Sequence, residues 1–557
     1  MKKNADDISF KVTPEVLETH AGDVDVAING VFPAKYFNKK ATVVATPVLT
    51  YEGGETAFEP VTVQGEKVSA NNKVVSYTDG GNFSYKDAVP FTDDMRKSEL
   101  VIRMTASKGS KSVDFEPIKV ADGVLAAPTL VVNFPFAIIG VQREKNLTGV
   151  YDPNIDPFQR IVPDSYTADI RYLINSAVLR NSELKSEDIE KLKEYTKDAF
   201  DAERKELKGV EVSAYASPDG ALDFNTKLSE KREGTSSNYV EKQLKKEKIE
   251  AELKSKFTPE DWDGFKELME KSNIQDKELI LRVLSMYSDP EVREREIKNL
   301  SQAFTSVADE ILPQLRRAKI TASVELIGKT DEEIMDLANG NPSALNPAEL
   351  LYAATLTDDK EKQLYIYGAM TEVYPNDWRG YNNKGMVLAQ QGKFEEAKPL
   401  FEKAESLSTS EPIIKNNLGA CALVAGDVAK AEELFGAASG AGSEVNNNLA
   451  IVAIKKAEYE KAVKLLDGTN TPNEGLAKIM VGDNSGALKA LENCPWEGCY
   501  MTEYFKAIVG ARTAKENLMY ESLEKAVSMN ADLKSKIATD LEFAKYFDEA
   551  RFQEIVK

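Results

Sequence analysis

Residues 380–404 read GYNNKGMVLAQQGKFEEAKPLFEKA, and residues 414–438 read IKNNLGACALVAGDVAKAEELFGAA. Laid one on the other, Gly385, Gly392, Ala397, Phe401 and Ala404 fall on Gly419, Gly426, Ala431, Phe435 and Ala438, every pair 34 residues apart. Five coincidences at one spacing are not chance, and small residues with one aromatic between them are what crossing helices need. A degenerate earlier copy places Tyr367 and Pro375 in the same frame. A later, shortened copy runs from Asn448-Leu449-Ala450 to Ala462 and Leu466. Residues 476–491 and 504–527 read as further irregular helical pairs, so residues 344–557 are expected to be all-α.

The 34-residue period resembles that of the tetratricopeptide repeat, whose helical pairs stack into a right-handed superhelix. The resemblance implies that the first helix of each pair lines a concave face. Asn383, Asn417 and Asn448 each precede by two residues the small residue of a helix crossing, Gly385, Gly419 and Ala450. They therefore hold equivalent places in three successive repeats, and in the family asparagines there can form a ladder. A side-chain amide carries both a donor and an acceptor, so it can pair with the backbone of an extended peptide without demanding a sequence. That reading implies a protein partner with an unstructured segment laid along the superhelix. The plainer reading has the asparagines bonding neighbouring helices.

Upstream the period changes. Residues 1–123 show short alternating runs, such as Val24-Asp25-Val26-Ala27-Ile28 and Glu99-Leu100-Val101-Ile102, with turn signals at Gly53-Gly54 and Asp79-Gly80-Gly81. These suggest a small all-β sandwich of immunoglobulin-like type, leaving at Ala121-Asp122-Gly123. Residues 124–164 are Pro-rich and irregular, a connecting segment with one strand at Leu130-Val131-Val132. Residues 165–328 alternate strands and helices. Strands are expected at Tyr172-Leu173-Ile174, 210–215, 248–256 and 320–326, with a helix capped by Ser186 and another over 223–245.

Residues 211–232 read EVSAYASPDGALDFNTKLSEKR. This is similar to the core of the OmpA-like domain, a β/α/β/α/β unit that binds peptidoglycan. Asn225, Leu228, Ser229 and Arg232 match its Asn-x-x-Leu-Ser-x-x-Arg run, and Gly220 matches its loop glycine. The resemblance covers 165–328 and implies a periplasmic, outer-membrane-associated place facing the cell wall. Two departures qualify it. The family's ligand-binding aspartate falls at Ser217, leaving Arg232, which can still hold a carboxylate, and Asp219, which stands in a Pro-Asp-Gly turn. The region 258–312 is also longer than the family pattern, an insertion over the ligand groove. Ser217, Asp219, Asn225 and Arg232 are thus the candidate peptidoglycan-binding residues, with weak or absent binding expected.

Composition bounds the rest. At 557 residues the chain needs several cores. With 71 basic against 91 acidic residues it carries a net charge of −20, which argues against nucleic acid and anionic lipid surfaces as partners. The longest apolar stretch, near residues 131–141, is broken by Asn133 and Pro135, too short to span a bilayer. Met1-Lys2-Lys3-Asn4 has no apolar signal region; it fits either the remnant of a lipid-anchored precursor or an ordinary N-terminus. His20 is the only histidine, so histidine-based triads and metal sites are not expected, and it reads as a surface residue. Cys421 reads as a small core residue; Cys494 and Cys499 are close enough either to pair or to remain free thiols. No phosphate-binding glycine loop appears. No cofactor and no catalysis are expected.

Two functional classes remain. One is an envelope scaffold that holds a protein partner through its repeats while an OmpA-like domain faces the wall. The other is a peptidoglycan-binding protein in which recognition of the glycan stem is the main task.

Overall fold

The computed structural model describes residues 7–133, 136–141, 158–274, 277–299 and 301–557. Met1-Lys2-Lys3-Asn4, Pro135 and residues 142–157 of the connecting segment lie outside the described residues. The chain divides into two compact units, one made of residues 1–156 with 338–557, the other of residues 157–337. The β-rich N-terminal region and the helical repeats therefore share a unit, where the sequence suggests two separate ones.

The N-terminal strands are β1 (Ser9–Thr13), β2 (Val16–His20), β3 (Asp23–Phe32), β4 (Thr42–Tyr51), β5 (Gly54–Ala57), β6 (Val61–Gly65), β7 (Lys73–Val75), β8 (Gly81–Pro90), β9 (Ser98–Lys108), β10 (Lys111–Asp114) and β11 (Ile118–Leu125). Strict alternation along β3 buries Val24, Val26, Ile28 and Phe32, and its full length pairs antiparallel with β8. Likewise β4 pairs antiparallel with β9 from Thr42 opposite Ser107 to Tyr51 opposite Ser98. Leu49, Leu100, Ile102 and Met104 from these strands join the β3 residues in one core. The two antiparallel groups are not separate sheets. Parallel pairing of β11 with β2, Asp122 opposite Val16 and Leu125 opposite Glu18, links them into a continuous order β1-β3-β2-β11-β9-β4-β6-β7.

In the helical region the pairs are Pro347–Thr355 with Lys360–Val373, Trp378–Gln390 with Phe394–Leu407, Pro412–Val424 with Val428–Ala437, Val445–Lys455 with Tyr459–Leu466, Pro472–Met480 with Asn484–Glu492, and Tyr500–Arg512 with Glu516–Met529. Close approach explains the small residues. A Cβ on Gly385 would stand 2.7 Å from the Phe401 ring, and one on Gly419 would stand 2.7 Å from Phe435. In the five pairs after the first, the turn between the helices uses a left-handed residue. Gly392, Gly426 and Gly482 supply it, and Ala457 and Ala514 take the same place in the irregular copies. Phe543 and Phe552 close the C-terminal end, both fully buried.

The β-rich part meets this array directly. Glu18 on β2 lies 3.5 Å from Arg512, and the His20 ring nitrogen Nδ1 lies 2.9 Å from the Tyr459 hydroxyl. His20 is therefore a contact residue between strand and repeat, which no local sequence signal announces. After β11 a 3-10 turn, Ala127–Leu130, replaces the strand expected at Leu130-Val131-Val132.

The second unit holds β12 (Ile161–Arg171), β13 (Lys205–Tyr215), β14 (Leu253–Thr258) and β15 (Arg317–Ile327) in the order β12-β15-β13-β14. β15 is antiparallel to both neighbours, while β13 and β14 run parallel, joined by the helix Leu222–Glu247. That helix and Glu187–Asp201 bury Ile189, Leu192, Val240 and Leu244 against Ile170, Val212, Ala318 and Ile320. Ser186 caps the second of these helices, as its sequence suggests, by accepting from the Ile189 N–H. The first strand lies earlier than expected. Residues 161–171 form an edge strand with Pro163 in it and mostly exposed side chains, so it lacks an alternating signal. Leu173 and Ile174, read as strand, are instead 56% and 59% exposed in the loop that follows. Between β14 and β15 the described residues are mainly helical, with a small core of their own that includes Phe265, Met269, Ile280, Leu284 and Leu315.

Candidate groove of the repeat region

The asparagines of the first helices converge on one short stretch of the chain that belongs to no helix or sheet. Asn383 accepts from the Val141 N–H at 2.8 Å and donates to the Val141 carbonyl at 2.8 Å. Asn417 does the same for Ile139 at 2.9 and 2.8 Å, and Asn448 for Ala137 at 3.0 and 2.9 Å. Each amide thus mimics the edge of a neighbouring strand, taking the donor and acceptor of a single residue. Ala137, Ile139 and Val141 are held alternately, and a bond of 3.0 Å from the Ile138 N–H to the Phe136 carbonyl tightens the chain at Ala137. The segment runs against the order of the repeats, its later residues meeting the earlier helices.

Two features of this site escape the sequence reading. The first is a fourth rung, Asn473, which accepts from the Val132 N–H at 2.8 Å and donates to the Val132 carbonyl at 2.9 Å. Its signal is present: Asn473 precedes Gly475 by two residues, as Asn383 precedes Gly385. The shortened spacing between copies hides it. The same slot is filled by Phe505 in the following pair, nine residues before Ala514, so the ladder stops there. The second feature is a set of partner asparagines. Asn382 donates to the Ile139 carbonyl at 3.1 Å and Asn416 to the Ala137 carbonyl at 2.6 Å. The side-chain oxygens of Asn382 and Asn416 accept from Asn417 and Asn448 of the next repeat, both at 2.9 Å. All five of these ladder residues other than Asn473 are fully buried.

What these asparagines hold is residues of this same chain. The occupant, at Val132, Ala137, Ile139 and Val141, belongs to the segment that the sequence presents as a connection. Phe136, Ile139 and Val141 are 8%, 5% and 2% exposed, and Phe136 meets Phe394 edge to face at 5.7 Å.

Glu474, beside the fourth rung, is 1% exposed at its side chain. Burial alone would raise its pKa, but the Lys478 ammonium at 2.6 Å and the N–H groups of Asn470 and Gly468 outweigh it and hold it below the usual carboxylate range. A depressed folded-state pKa contributes stability that is complete above the unfolded value of about 4.3. It is lost as pH falls through the lower folded value. Glu474→Gln should therefore lower the melting temperature at neutral pH, and the difference from wild type should shrink as the pH is taken below 4.

Cys421 lies on Pro412–Val424, and burial pushes its thiol up to about 12. Cys494 and Cys499 are free and half-buried. A thiol-reactive dye at pH 8 should label these two and spare Cys421 until the chain is denatured, because the thiolate is the reacting form.

The candidate peptidoglycan residues sit in the other unit. Asn225 donates to the carbonyls of Ser217 and Gly220 at 3.2 and 3.1 Å, fixing the loop after β13. Ser217 donates to Asp219, and Asp219 accepts from Arg316, at 3.2 Å, a partner the sequence does not suggest. Arg232 bonds to neither Ser217 nor Asp219. It donates to the carbonyls of Ser176, Tyr215 and Leu173 at 2.9, 2.8 and 3.2 Å and is 1% exposed. Burial lowers its pKa to about 10. A buried guanidinium with no carboxylate of its own must find acceptors, and the main chain supplies them. Ser217, Asp219 and Asn225 are thus brought together, while Arg232 is used inside the fold.

The tetratricopeptide repeat family profile matches residues 379–410. No curated protein matches the chain. Among solved structures, the chain is similar to the APC/C hetero-tetramer Cut9–Hcn1, at 11% identity and a TM-score of 0.33, covering 60% of this chain and 66% of that one. It is similar to YrrB, described as a TPR protein with an unusual peptide-binding site, at 21% identity and a TM-score of 0.25, covering 32% of this chain and 97% of that one. A tetratricopeptide repeat protein from Parabacteroides merdae is similar at 13% identity and a TM-score of 0.29, covering 47% of this chain and 96% of that one. The chain spans just under two thirds of the first of these. Likenesses this loose carry no argument about function. The chain contains a tetratricopeptide repeat at residues 379–410, within a C-terminal helical region that follows a β-rich one.

Proposed function

We propose that this protein is a non-catalytic scaffold of a Gram-negative cell envelope that binds protein through its repeats. The observation that carries the reading is the asparagine ladder, which grips an extended polypeptide by its main chain at Val132, Ala137, Ile139 and Val141. Such a site selects an extended strand over a folded surface or a small molecule. The periplasmic, outer-membrane-associated location rests on the OmpA-like run from Asn225 to Arg232 in the second unit, which would face the wall. In this reading that unit has a structural part, because Arg232 serves main-chain carbonyls and Asp219 already has Arg316.

Cross-linking of the full chain in native membranes, followed by mass spectrometry, tests the proposal. Cross-links from a second protein to residues 338–557 are expected, in the periplasmic fraction. Co-sedimentation with purified sacculi should be weak or absent. Tight sacculus binding with no protein cross-linked to the repeats would instead favour peptidoglycan recognition as the main task.

A further inference from the structure

Residues 130–133 and 136–141 meet the groove as a ligand meets a receptor. The amides that hold Ala137, Ile139 and Val141 read only main chain, so another extended chain could make the same bonds. Side chains add selectivity at two points. Phe136 packs its ring against Phe394. Gly140 passes so close to the groove wall that a Cβ there would stand 2.4 Å from the Met386 sulfur. The bound pattern is therefore an aromatic residue, then β-branched residues on either side of a glycine. Nothing in it depends on being covalently joined to β11.

We propose that residues 130–133 and 136–141 are a tethered occupant of a groove whose other ligand is a peptide segment of a protein partner, carrying the same aromatic and Ile-Gly-Val pattern. This rests on the protein-binding reading above. The tether explains how the groove is guarded. A segment joined to β11 by a few residues acts at an effective concentration on the order of millimolar. A free peptide with the same contacts competes poorly against that. A partner takes its place only by presenting a strand with additional contacts or at high local concentration.

The test uses a fluorescent peptide of residues 130–141 and the full-length chain. In one variant, Ile139→Asp with Val141→Asp puts two carboxylates into buried positions and expels the tethered segment. The expelled variant should bind the peptide at least about tenfold more tightly than wild type. Adding Asn383→Ala, Asn417→Ala and Asn448→Ala should abolish that binding, and a peptide carrying Gly140→Trp should fail to bind. Helical circular dichroism checks that the repeats stay folded; should the double variant lose it, Gly140→Trp in the full chain expels the segment by bulk alone. A folded, expelled variant that does not bind the peptide overturns the proposal, as does a wild type that binds equally well. Either result, with partner cross-links still on the repeats, sinks this inference alone; absence of those cross-links sinks the protein-binding reading beneath it.

Discussion

Replacing Asn383, Asn417 and Asn448 together by alanine will free residues 136–141 from the groove and destabilise the unit that contains both the strands and the repeats. Each amide makes two neutral hydrogen bonds to buried backbone, and a neutral bond contributes about 0.5–1.5 kcal/mol net. Alanine also leaves a buried N–H and C=O without partners, which costs about 1–3 kcal/mol for each group not reached by water. Asn382 and Asn416 lose their acceptor contacts to the next repeat as well. A loss of roughly 3–6 kcal/mol is therefore expected, less than a simple sum because the rungs are coupled. Urea unfolding should show an earlier midpoint, and limited proteolysis of the native chain should cut near residues 136–141 where wild type resists. Aspartate at the same places should be at least as harmful, since it keeps the acceptor but sets a carboxylate against the carbonyls of Ala137, Ile139 and Val141. A triple alanine variant with the wild-type midpoint and cleavage pattern would mean that the apolar contacts alone hold the segment.

Arg232→Ala should have a comparable effect on the other unit. The side chain is among the largest that are fully buried, and it ties the loop after β12 to the end of β13 through three carbonyls. Its removal opens a cavity and strands those carbonyls, together about 3–5 kcal/mol. The Tyr172 ring beneath the guanidinium, 5.1 Å away, loses its cation as well. Arg232→Lys should not rescue, because a point-like ammonium cannot reach three carbonyls arranged for a planar fork. Protease sites within 158–337 should open at lower urea than in wild type while residues 338–557 stay resistant. Wild-type resistance in Arg232→Ala would show that the carbonyls find other donors, and would return Arg232 to the list of candidate ligand residues.

Much of the repeat architecture was legible in the sequence, for a physical reason. Helices that cross closely need small residues at fixed places, so Gly385 and Gly419 register the period directly, and the asparagines two residues earlier inherit it. Asn473 obeys the same rule but sits in a shortened copy, where the spacing no longer advertises it. The occupant of the groove was not legible. Residues 136–141 carry an apolar, irregular stretch whose partners lie 242 to 311 residues away in the chain, and pairing at that distance leaves no local trace. The same holds for the pairing of β2 with β11 and the contact of His20 with Tyr459. In the second unit, β12 escaped because an edge strand with Pro163 and solvent on most of its side chains has no alternation to read. Arg232 and Asn225 were singled out by the resemblance of their run to the OmpA-like pattern, but a resemblance cannot tell a guanidinium that waits for a ligand from one already committed to carbonyls.

Amide hydrogen exchange of the wild-type chain tests the central claim most directly. Ala137, Ile139 and Val141 belong to no helix or sheet, yet the asparagine ladder predicts that their N–H groups exchange orders of magnitude more slowly than in a free peptide. Exchange at free-peptide rates, with the flanking repeat helices fully protected, would contradict the account.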